Sequence, residues 1–383
     1  MKNNWNRRDW IGLVLAGTFG LSISRNLCVH ASDTELTEKS NLAIRRERAI
    51  ENAIQYLREQ QFDDGSFAQM VPVGVTSLVV SGLIAVGVKQ SDKMISDGLK
   101  FILSNVKPDG GIYSEQRGFP AYETSLVIMT LVQADREKYA KEIDAAQECL
   151  RREQWDESES IDESNPSYGG AGYGGKQRPD LSNTQYMMEA LHAAGASKDD
   201  PAMQKALIFV SRCQNLESEH NTSAEAAKIN DGGFYYTIAA GGQSPAGRGP
   251  QGGLRSYGSM TYAGLKSMIY AGLTADDPRV KAAIEWLRNF YTLDENPGMG
   301  EGGLYYYYHT CAKSLDLLCE MENTDSFTDA NGNVHHWKVE LTEELLSRQQ
   351  PDGSWCNANP RWMENDPVLV TGFALMTLGY VGE

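Results

Sequence analysis

The feature that most constrains this chain is a short turn of glutamine, glycine and an aromatic residue that recurs along its length. It is clearest as RQQPDGSW at 348–355 and as EQQFDDGSF at 59–67. Looser copies occur at 101–113, 149–173, 209–236 and 286–306. A motif that returns six times in 383 residues indicates a repeat architecture, in which each copy belongs to one supersecondary unit.

Each turn is followed by an apolar segment that carries one threonine at a comparable place. The threonines are Thr76, Thr124, Thr184, Thr261, Thr310 and Thr371. These segments are apolar nearly all round, which predicts buried helices. Several end in glycine, as at Gly87 and Gly195, where a left-handed residue closes a helix. A threonine near the start of a helix also predicts an N-cap, whose hydroxyl accepts an otherwise unpaired N–H.

The segment before each turn has a different pattern. Residues 43–61 and 277–291 place apolar side chains at i, i+3, i+4 and i+7 with charges between them. That spacing predicts outer helices with one buried face and one solvated face. Six outer–inner hairpins predict an all-α fold, an α/α toroid, over residues 43–383. Closure into a ring leaves no end that needs a capping repeat.

The turn itself is predicted to be structural. A glutamine amide is expected to bridge the end of an outer helix, where carbonyls lack partners, to the next backbone. Glycine supplies the positive φ of the turn. The aromatic residue is expected to fill the joint between neighbouring hairpins.

The N-terminus predicts export. Arg7 and Arg8 stand in NRRDWIG, the apolar run 11–23 follows, and small residues at 29–32 offer a cleavage site. Residues 1–31 are therefore predicted to be an export signal of the twin-arginine type, with a general secretory signal as the alternative. Residues 32–42 are predicted to be a linker, and the mature protein is expected in the periplasm or outside the cell.

Composition limits the partners. The formal net charge of −16 argues against nucleic acid, which favours basic surfaces. The apolar run at 11–23 is short for a membrane span, and no longer one follows it. We therefore expect no transmembrane segment in the mature chain. A protein partner stays open.

The repeated turn resembles the QW motif of the terpenoid cyclase and protein prenyltransferase superfamily, which includes squalene-hopene cyclase. RQQPDGSW and EQQFDDGSF carry this resemblance best, and the toroid that it implies covers 43–383. The resemblance implies an isoprenoid or another apolar ligand. It implies a reaction less clearly, because one fold hosts many activities.

The chain departs from both catalytic patterns of those relatives. The DxDD motif of the protonating cyclases is absent from the sequence. His309 matches the histidine ligand of the zinc-dependent prenyltransferases, but Tyr257 and Ser259 stand where the carboxylate and thiolate are required. One ligand of three does not hold zinc with useful affinity. We therefore expect no tightly bound metal and no cofactor.

The candidate site is the end at which all inner helices begin. The residues just before each threonine are predicted to face it: Val75, Glu123, Asn183, Met260, His309 and Val370. From this end we take as catalytic candidates His309, Glu123 and Asp180. As ligand-binding candidates we take Asn183, Arg255, Tyr257, Tyr262, Tyr307 and Asp366. A carboxylate and an imidazole that converge there would form an acid–base pair.

Three functions remain open from the sequence. The first is an enzyme or binder of isoprenoid or other apolar ligands, of the isomerase or transferase type if it is catalytic. The second is a non-catalytic toroid that serves as an interaction platform. The third is a polysaccharide-active α/α-toroid enzyme. An apolar cavity would favour the first, a filled barrel the second and an open polar groove the third.

Overall fold

The computed structural model describes the backbone of residues 25–116 and 118–382, and side chains from residue 40 onward. Within these residues the chain is almost entirely helical. The inner helices are α2 (Pro72–Ala85), α4 (Pro120–Asp135), α6 (Leu181–Ala193), α9 (Gly258–Tyr270), α11 (Leu304–Glu322) and α13 (Pro367–Val381). The outer helices are α1 (Arg25–Gln60), α3 (Lys93–Ser104), α5 (Ala140–Glu153), α7 (Pro201–Arg212), α10 (Pro278–Phe290) and α12 (Trp337–Arg348).

Short elements lie in the connections between these helices. They are α8 (Ala226–Ile229), three 3₁₀ turns (Glu157–Glu159, Ala239–Gly241, Arg361–Met363) and a two-stranded antiparallel ribbon of β1 (Phe327–Thr328) and β2 (Val334–His335). The longest connections precede α9, at 213–257, and α6, at 154–180, in line with the wide spacing of Thr184 and Thr261.

The chain forms two compact units, Met1–Arg45 and Arg46–Glu383. Helix α1 is continuous through residues 32–42, which the sequence assigns to a linker. Residues 1–24 of the predicted export signal lie outside the described residues. Among the described residues, no helix combines the length and the apolar character needed to cross a membrane.

The second unit is a closed double ring. Each inner helix packs on the next one along the chain, and α13 packs on α2. Outer helices pack against the inner ring, as α3 does on α2 and α10 on α9. The prediction of an all-α, six-hairpin toroid is therefore confirmed.

The glutamine of the repeated turn joins neighbouring repeats. The amide of Gln61 donates to Gly65 O at 3.0 Å and to Met94 O, in the first turn of α3, at 2.9 Å. Gln154, Gln214 and Gln349 make the same pair of bonds. The amide therefore reaches the next outer helix rather than the carbonyl end of its own, where the sequence analysis had placed it.

The last repeat is joined to the first by the same device. Gln349 donates to Ala49 O on α1 at 2.8 Å. Gly353 has φ +91°, and a Cβ there would lie 2.5 Å from Asn52 O, so this turn packs directly on the α1 backbone. Arg46 also donates to Leu378 O of α13 at 2.5 Å. The ring is thus closed by specific bonds as well as by packing.

The prediction that the threonines are N-caps is wrong. Thr76 lies inside α2, and its hydroxyl accepts from Phe67 N at 3.1 Å. Thr371 accepts from Trp355 N at the same distance. Equivalent bonds join Ile112 to Thr124, Ala171 to Thr184 and Phe234 to Thr261. The hydroxyl thus anchors the aromatic end of the turn, because the turn folds back against the second turn of the inner helix rather than against its first residue.

Candidate functional site

A cavity of about 260 Å³ lies at the end of the ring where the inner helices begin. The N-cap residues of α2, α4 and α9 line it, namely Val71, Phe119 and Tyr257. The sequence predicts a site at this end, and the aromatic cavity lies there.

The wall of this cavity is predominantly aromatic. Nine of its 17 lining residues are Phe119, Tyr122, Tyr173, Tyr186, Tyr236, Tyr257, Tyr306, Trp362 and Phe373. Ring contacts run around the wall, with centroids 5.4 Å apart for Tyr122 and Tyr186 and 6.1 Å apart for Tyr186 and Tyr306. Such a wall offers ring faces and apolar area, with phenol groups as the main polar points.

Glu364 is the one carboxylate on this wall among the described lining residues, and the sequence analysis missed it. Its carboxylate accepts from Tyr306 N at 2.9 Å, at the start of α11, and from Asn357 Nδ2 at 2.7 Å. Burial raises the pKa of Glu364, while these hydrogen bonds oppose the rise. It belongs to a loop that folds over the cavity, and nothing in the repeat pattern marks it.

Trp362 forms part of the rim. It is 39% exposed and has φ +55°, a left-handed conformation that is uncommon for a large side chain. Its ring packs over Gly303, where a Cβ would lie 2.9 Å from the indole. A tryptophan at the rim gives this cavity an intrinsic fluorescent reporter.

Asp180 lies directly behind the wall. It is the N-cap of α6 and accepts from Asn183 N at 2.9 Å and from Asn183 Nδ2 at 2.8 Å. The phenol of Tyr236, whose side chain lines the cavity, also lies close enough to Asp180 to lower the pKa of its carboxyl. Burial raises the pKa of Asp180 to about 6, although the hydrogen bonds oppose that rise. Two predicted residues, Asp180 and Asn183, therefore support the wall, and a third, Tyr257, forms part of it.

Glu123 does not reach the cavity. It is fully buried, and its carboxylate accepts from Gly74 N, Ser114 N and Phe119 N at 2.9–3.1 Å and from Ser114 Oγ at 2.7 Å. Every strong acceptor position is occupied by a donor of the chain itself. Glu123 therefore binds the start of α2 to the loop before α4, and the predicted acid–base pair with His309 is not formed.

His309 lies inside the barrel and does not line the aromatic cavity. Its ring packs 5.8 Å from Phe373 and 6.0 Å from Tyr380, measured between centroids. Burial, together with the charge of Lys266, lowers the pKa of His309 to about 3. The imidazole is therefore neutral at physiological pH.

The remaining predicted residues lie away from the cavity. Arg255 has an exposed side chain. Asp366 caps α13 by accepting from Val368 N at 2.9 Å. Tyr262 and Tyr307 pack against each other with centroids 5.7 Å apart, and Tyr307 donates to Thr292 O at 2.6 Å. None of these four side chains lines the aromatic cavity.

These placements have one geometric cause. The threonine hydroxyl points to the repeat turn outside the inner ring, and one residue of an α-helix turns by about 100°. The residue two before the threonine is therefore on the opposite side of the helix and faces the cavity. Tyr122, Ser182, Ser259 and Leu369 all hold that position and line the wall. Of the six residues just before a threonine, Val75 and Met260 line it.

Among residues 40–116 and 118–382, no group of three histidine, cysteine, aspartate or glutamate side chains is arranged to hold a metal ion. The expectation that this protein lacks tightly bound zinc stays a prediction.

Two kinds of comparison bear on the origin of this site. The sequence model of the squalene-hopene cyclase C-terminal domain matches residues 69–238. A variant of the type II terpene cyclase MstE from Scytonema, in complex with geranylgeranyl dihydroxybenzoate, superposes with a TM-score of 0.56 at 11% identity, covering 89% of this chain and 99% of that one. The chain has a terpenoid cyclase-like fold. The resemblance found in the repeated turns is thereby confirmed.

Other solved structures share this terpenoid cyclase-like fold. A second MstE variant, in complex with merosterolic acid A, gives a TM-score of 0.55 at 11% identity, with 89% of this chain and 98% of that one covered. A D-mannose isomerase gives 0.52 at 11% identity, covering 87% of this chain and 96% of that one. At these identities the likeness concerns the fold alone. No curated protein sequence matches the chain.

Proposed function

We propose that this terpenoid cyclase-like protein binds an isoprenoid or a similarly apolar small molecule in the aromatic cavity. The observation that carries the proposal is the wall itself, in which nine of 17 residues are aromatic and one is a carboxylate. Ligand sites combine a mainly apolar lining with few directed polar groups, and this cavity has that composition. The complexes of MstE with a geranylgeranyl substrate and its product lend support from the same fold.

The size of the cavity suggests a short ligand. An apolar cavity of about 150 Å³ is sufficient for benzene, which has six carbon atoms. On that scale, 260 Å³ accommodates roughly ten non-hydrogen atoms. We therefore propose a ten-carbon isoprenoid, or the end of a longer chain that leaves through the rim beside Trp362.

The wall is also suited to a ligand that carries positive charge during its reaction. Aromatic ring faces attract cations, and six tyrosines present rings or phenols here. A transforming role requires a proton donor in place of the missing DxDD aspartate. Burial and the neighbouring Asp180 raise the pKa of the Tyr236 phenol, which makes it a weak acid, so the wall supports binding of such a ligand rather than its protonation.

The two other functions fit the geometry less well. A polysaccharide-active enzyme needs an open polar groove, although the D-mannose isomerase shows that sugar chemistry occurs on this fold. An interaction platform needs no cavity, and a barrel filled by side chains would serve it as well. The aromatic wall therefore favours the apolar ligand over both.

The test is to fill the cavity and measure binding. Ser182 lines the wall and is partly exposed, so Ser182→Trp should occupy the space with little cost to folding. Ser347→Trp, at an exposed position on α12, adds the same indole elsewhere. Binding of geraniol, farnesol and geranylgeraniol would be followed by fluorescence and by native mass spectrometry.

We expect the wild-type protein and Ser347→Trp to bind at least one of these alcohols, and Ser182→Trp to bind at least about tenfold more weakly, a loss of about 1.4 kcal/mol. The proposal fails if no alcohol binds the wild-type protein, or if Ser182→Trp binds as well as Ser347→Trp. Preference for sugars over all three alcohols would favour the carbohydrate function instead.

We also propose that the protein is exported. The support is in the sequence: Arg7 and Arg8, the apolar run 11–23 and the small residues at 29–32. Mass spectrometry of the native protein should find the chain beginning near residue 32, and Arg7→Lys with Arg8→Lys should block export by the twin-arginine route. Mature protein that retains Met1 would contradict the proposal.

A further inference from the structure

A second cavity, of about 300 Å³, lies at the opposite end of the inner ring. The last turns of α2, α4, α6 and α13 form it, and α11 contributes Lys313. Its apolar wall includes Met129, Val132 and Met376, and Tyr270 and Tyr380 add two rings. Nothing in the aromatic cavity at the other end involves these residues.

A buried cluster of charges lies at the wall of this cavity. Glu189 Oε2 lies 2.6 Å from the ammonium of Lys266, and Glu189 Oε1 forms an ion pair with Lys313. The side chains of Lys266, Lys313 and Glu189 are 1%, 10% and 5% exposed. Two ammonium groups thus share one carboxylate in a nearly dry environment.

The cluster carries a net positive charge if both lysines are protonated. Glu189 is the one carboxylate among the described residues that line this cavity. His309, which is near Lys266, is neutral because its pKa is low. A net charge at a buried place is costly, and a lysine there relieves the cost most readily by losing its proton. Burial lowers the pKa of Lys266 and of Lys313 to about 7.

The two lysines differ in access. Lys266 is sealed inside the barrel, whereas Lys313 lines the cavity with its amine 5.2 Å from the ring centre of Tyr380. The cavity wall is partly polar, but Lys313 itself is desolvated, and a desolvated amine is nucleophilic toward carbonyl compounds. The volume accommodates roughly twelve non-hydrogen atoms on the benzene scale.

We propose that the second cavity is a carbonyl-binding site, in which Lys313 Nζ forms an imine with a small apolar aldehyde or ketone. The neutral amine attacks the carbonyl carbon, and the carbonyl π electrons move to oxygen. Glu189 takes a first proton from the nitrogen and gives it to the oxygen, which forms a carbinolamine. Glu189 then moves the second nitrogen proton to that hydroxyl, which leaves as water while the nitrogen electron pair forms the C=N bond. The product is a C=N bond between Nζ and the former carbonyl carbon, with no oxidant or reductant consumed.

The test is reductive trapping on the full chain. The protein is incubated at pH 7 with hexanal and sodium cyanoborohydride, and the modified lysines are located by peptide mass spectrometry. We expect Lys313 to be modified at least about tenfold faster than the exposed Lys93 and Lys100, because those two amines are solvated and paired with Asp97 whereas Lys313 is desolvated.

Two variants define the site. Lys313→Arg keeps the positive charge beside Glu189 and should abolish the fast modification while circular dichroism shows a folded chain. Ser182→Trp fills the first cavity and should leave the modification of Lys313 unchanged. The carbonyl site is therefore tested independently of ligand binding in the aromatic cavity.

The proposal is overturned if Lys313 reacts no faster than Lys93 and Lys100. It is also overturned if hexanal gives no adduct at Lys313 while hexanoate raises the melting temperature of the wild-type protein and not of Lys313→Met. That second result would mean that both lysines remain charged and that the cavity holds an anion.

Discussion

The closure of the ring predicts that Gln349, near the end of the chain, contributes as much to the free energy of unfolding as Gln61, near its start. Gln349→Ala removes two hydrogen bonds, one to Ala49 O at 2.8 Å and one to Gly353 O at 2.9 Å. A neutral hydrogen bond contributes about 0.5–1.5 kcal/mol net, so the pair should contribute about 1–3 kcal/mol. Gln349→Glu should cost more than Gln349→Ala, because it brings a carboxylate against two carbonyl oxygens.

Gln61 provides the matched control. It makes the corresponding bonds between the first and second repeats and is also partly exposed. Free energies of unfolding would be measured by urea titration with far-ultraviolet circular dichroism. We expect Gln349→Ala and Gln61→Ala to lose similar amounts. A loss below about 0.5 kcal/mol for Gln349→Ala, beside a full loss for Gln61→Ala, would show that the last repeat does not hold the first in solution.

Two further predictions concern residues that the sequence marked as catalytic. Glu123→Gln should lower the free energy of unfolding by at least about 2 kcal/mol, because its NH₂ group would face donors that now bind a carboxylate; an unchanged urea midpoint would contradict this. For His309, the folded pKa of about 3 lies below its ordinary 6.5, so protonation favours the unfolded chain. Wild-type stability should therefore fall relative to His309→Gln as pH drops from 6.5 toward 3, by up to about 1.4 kcal/mol per pH unit. Parallel pH profiles for the two proteins would refute that assignment.

The fold was predictable because its signals are local and repeated. Each turn of glutamine, glycine and an aromatic residue marks one joint between neighbouring repeats. The apolar pattern distinguishes inner from outer helices. The threonines were found correctly as markers, but their role was misread. An N-cap hydroxyl bonds within its own helix, whereas Thr76 and Thr371 bond to the turn that precedes the helix.

The end of the ring that holds the site was predictable from the sequence, but only some of the residues that form the site were. A threonine that faces the turn puts Tyr122 and Ser182 on the cavity side, and this rotation follows from the helix alone once the bond is known. Glu364 and Trp362 have no such signal, since the loop that carries them is positioned by tertiary contacts. Glu123 has the expected position on the chain, yet three backbone N–H groups, from α2, from the loop before α4 and from the N-cap of α4, occupy its carboxylate.

The second cavity did have a sequence signal. Glu189, Lys266 and Lys313 stand inside segments that are otherwise apolar and predicted to be buried. A charged side chain in such a helix needs a partner, and the three supply one another. Their proximity depends on α6, α9 and α11 being consecutive members of the ring, which the repeat order already implies.

The bond from Arg46 to Leu378 O means that the two ends of the toroidal unit meet. Because the ends meet, the geometry of the ring does not depend on which repeat comes first along the polypeptide. A circular permutant that links residue 382 to residue 46 by a short flexible segment, and opens the chain in the acidic connection near 160–164, would keep every joint between repeats. Such a connection is largely exposed and carries no inner helix, which is where new termini are best tolerated. The protein would then present its termini beside α5 and α7, a different attachment point for a fused partner or a solid support, with both cavities left whole.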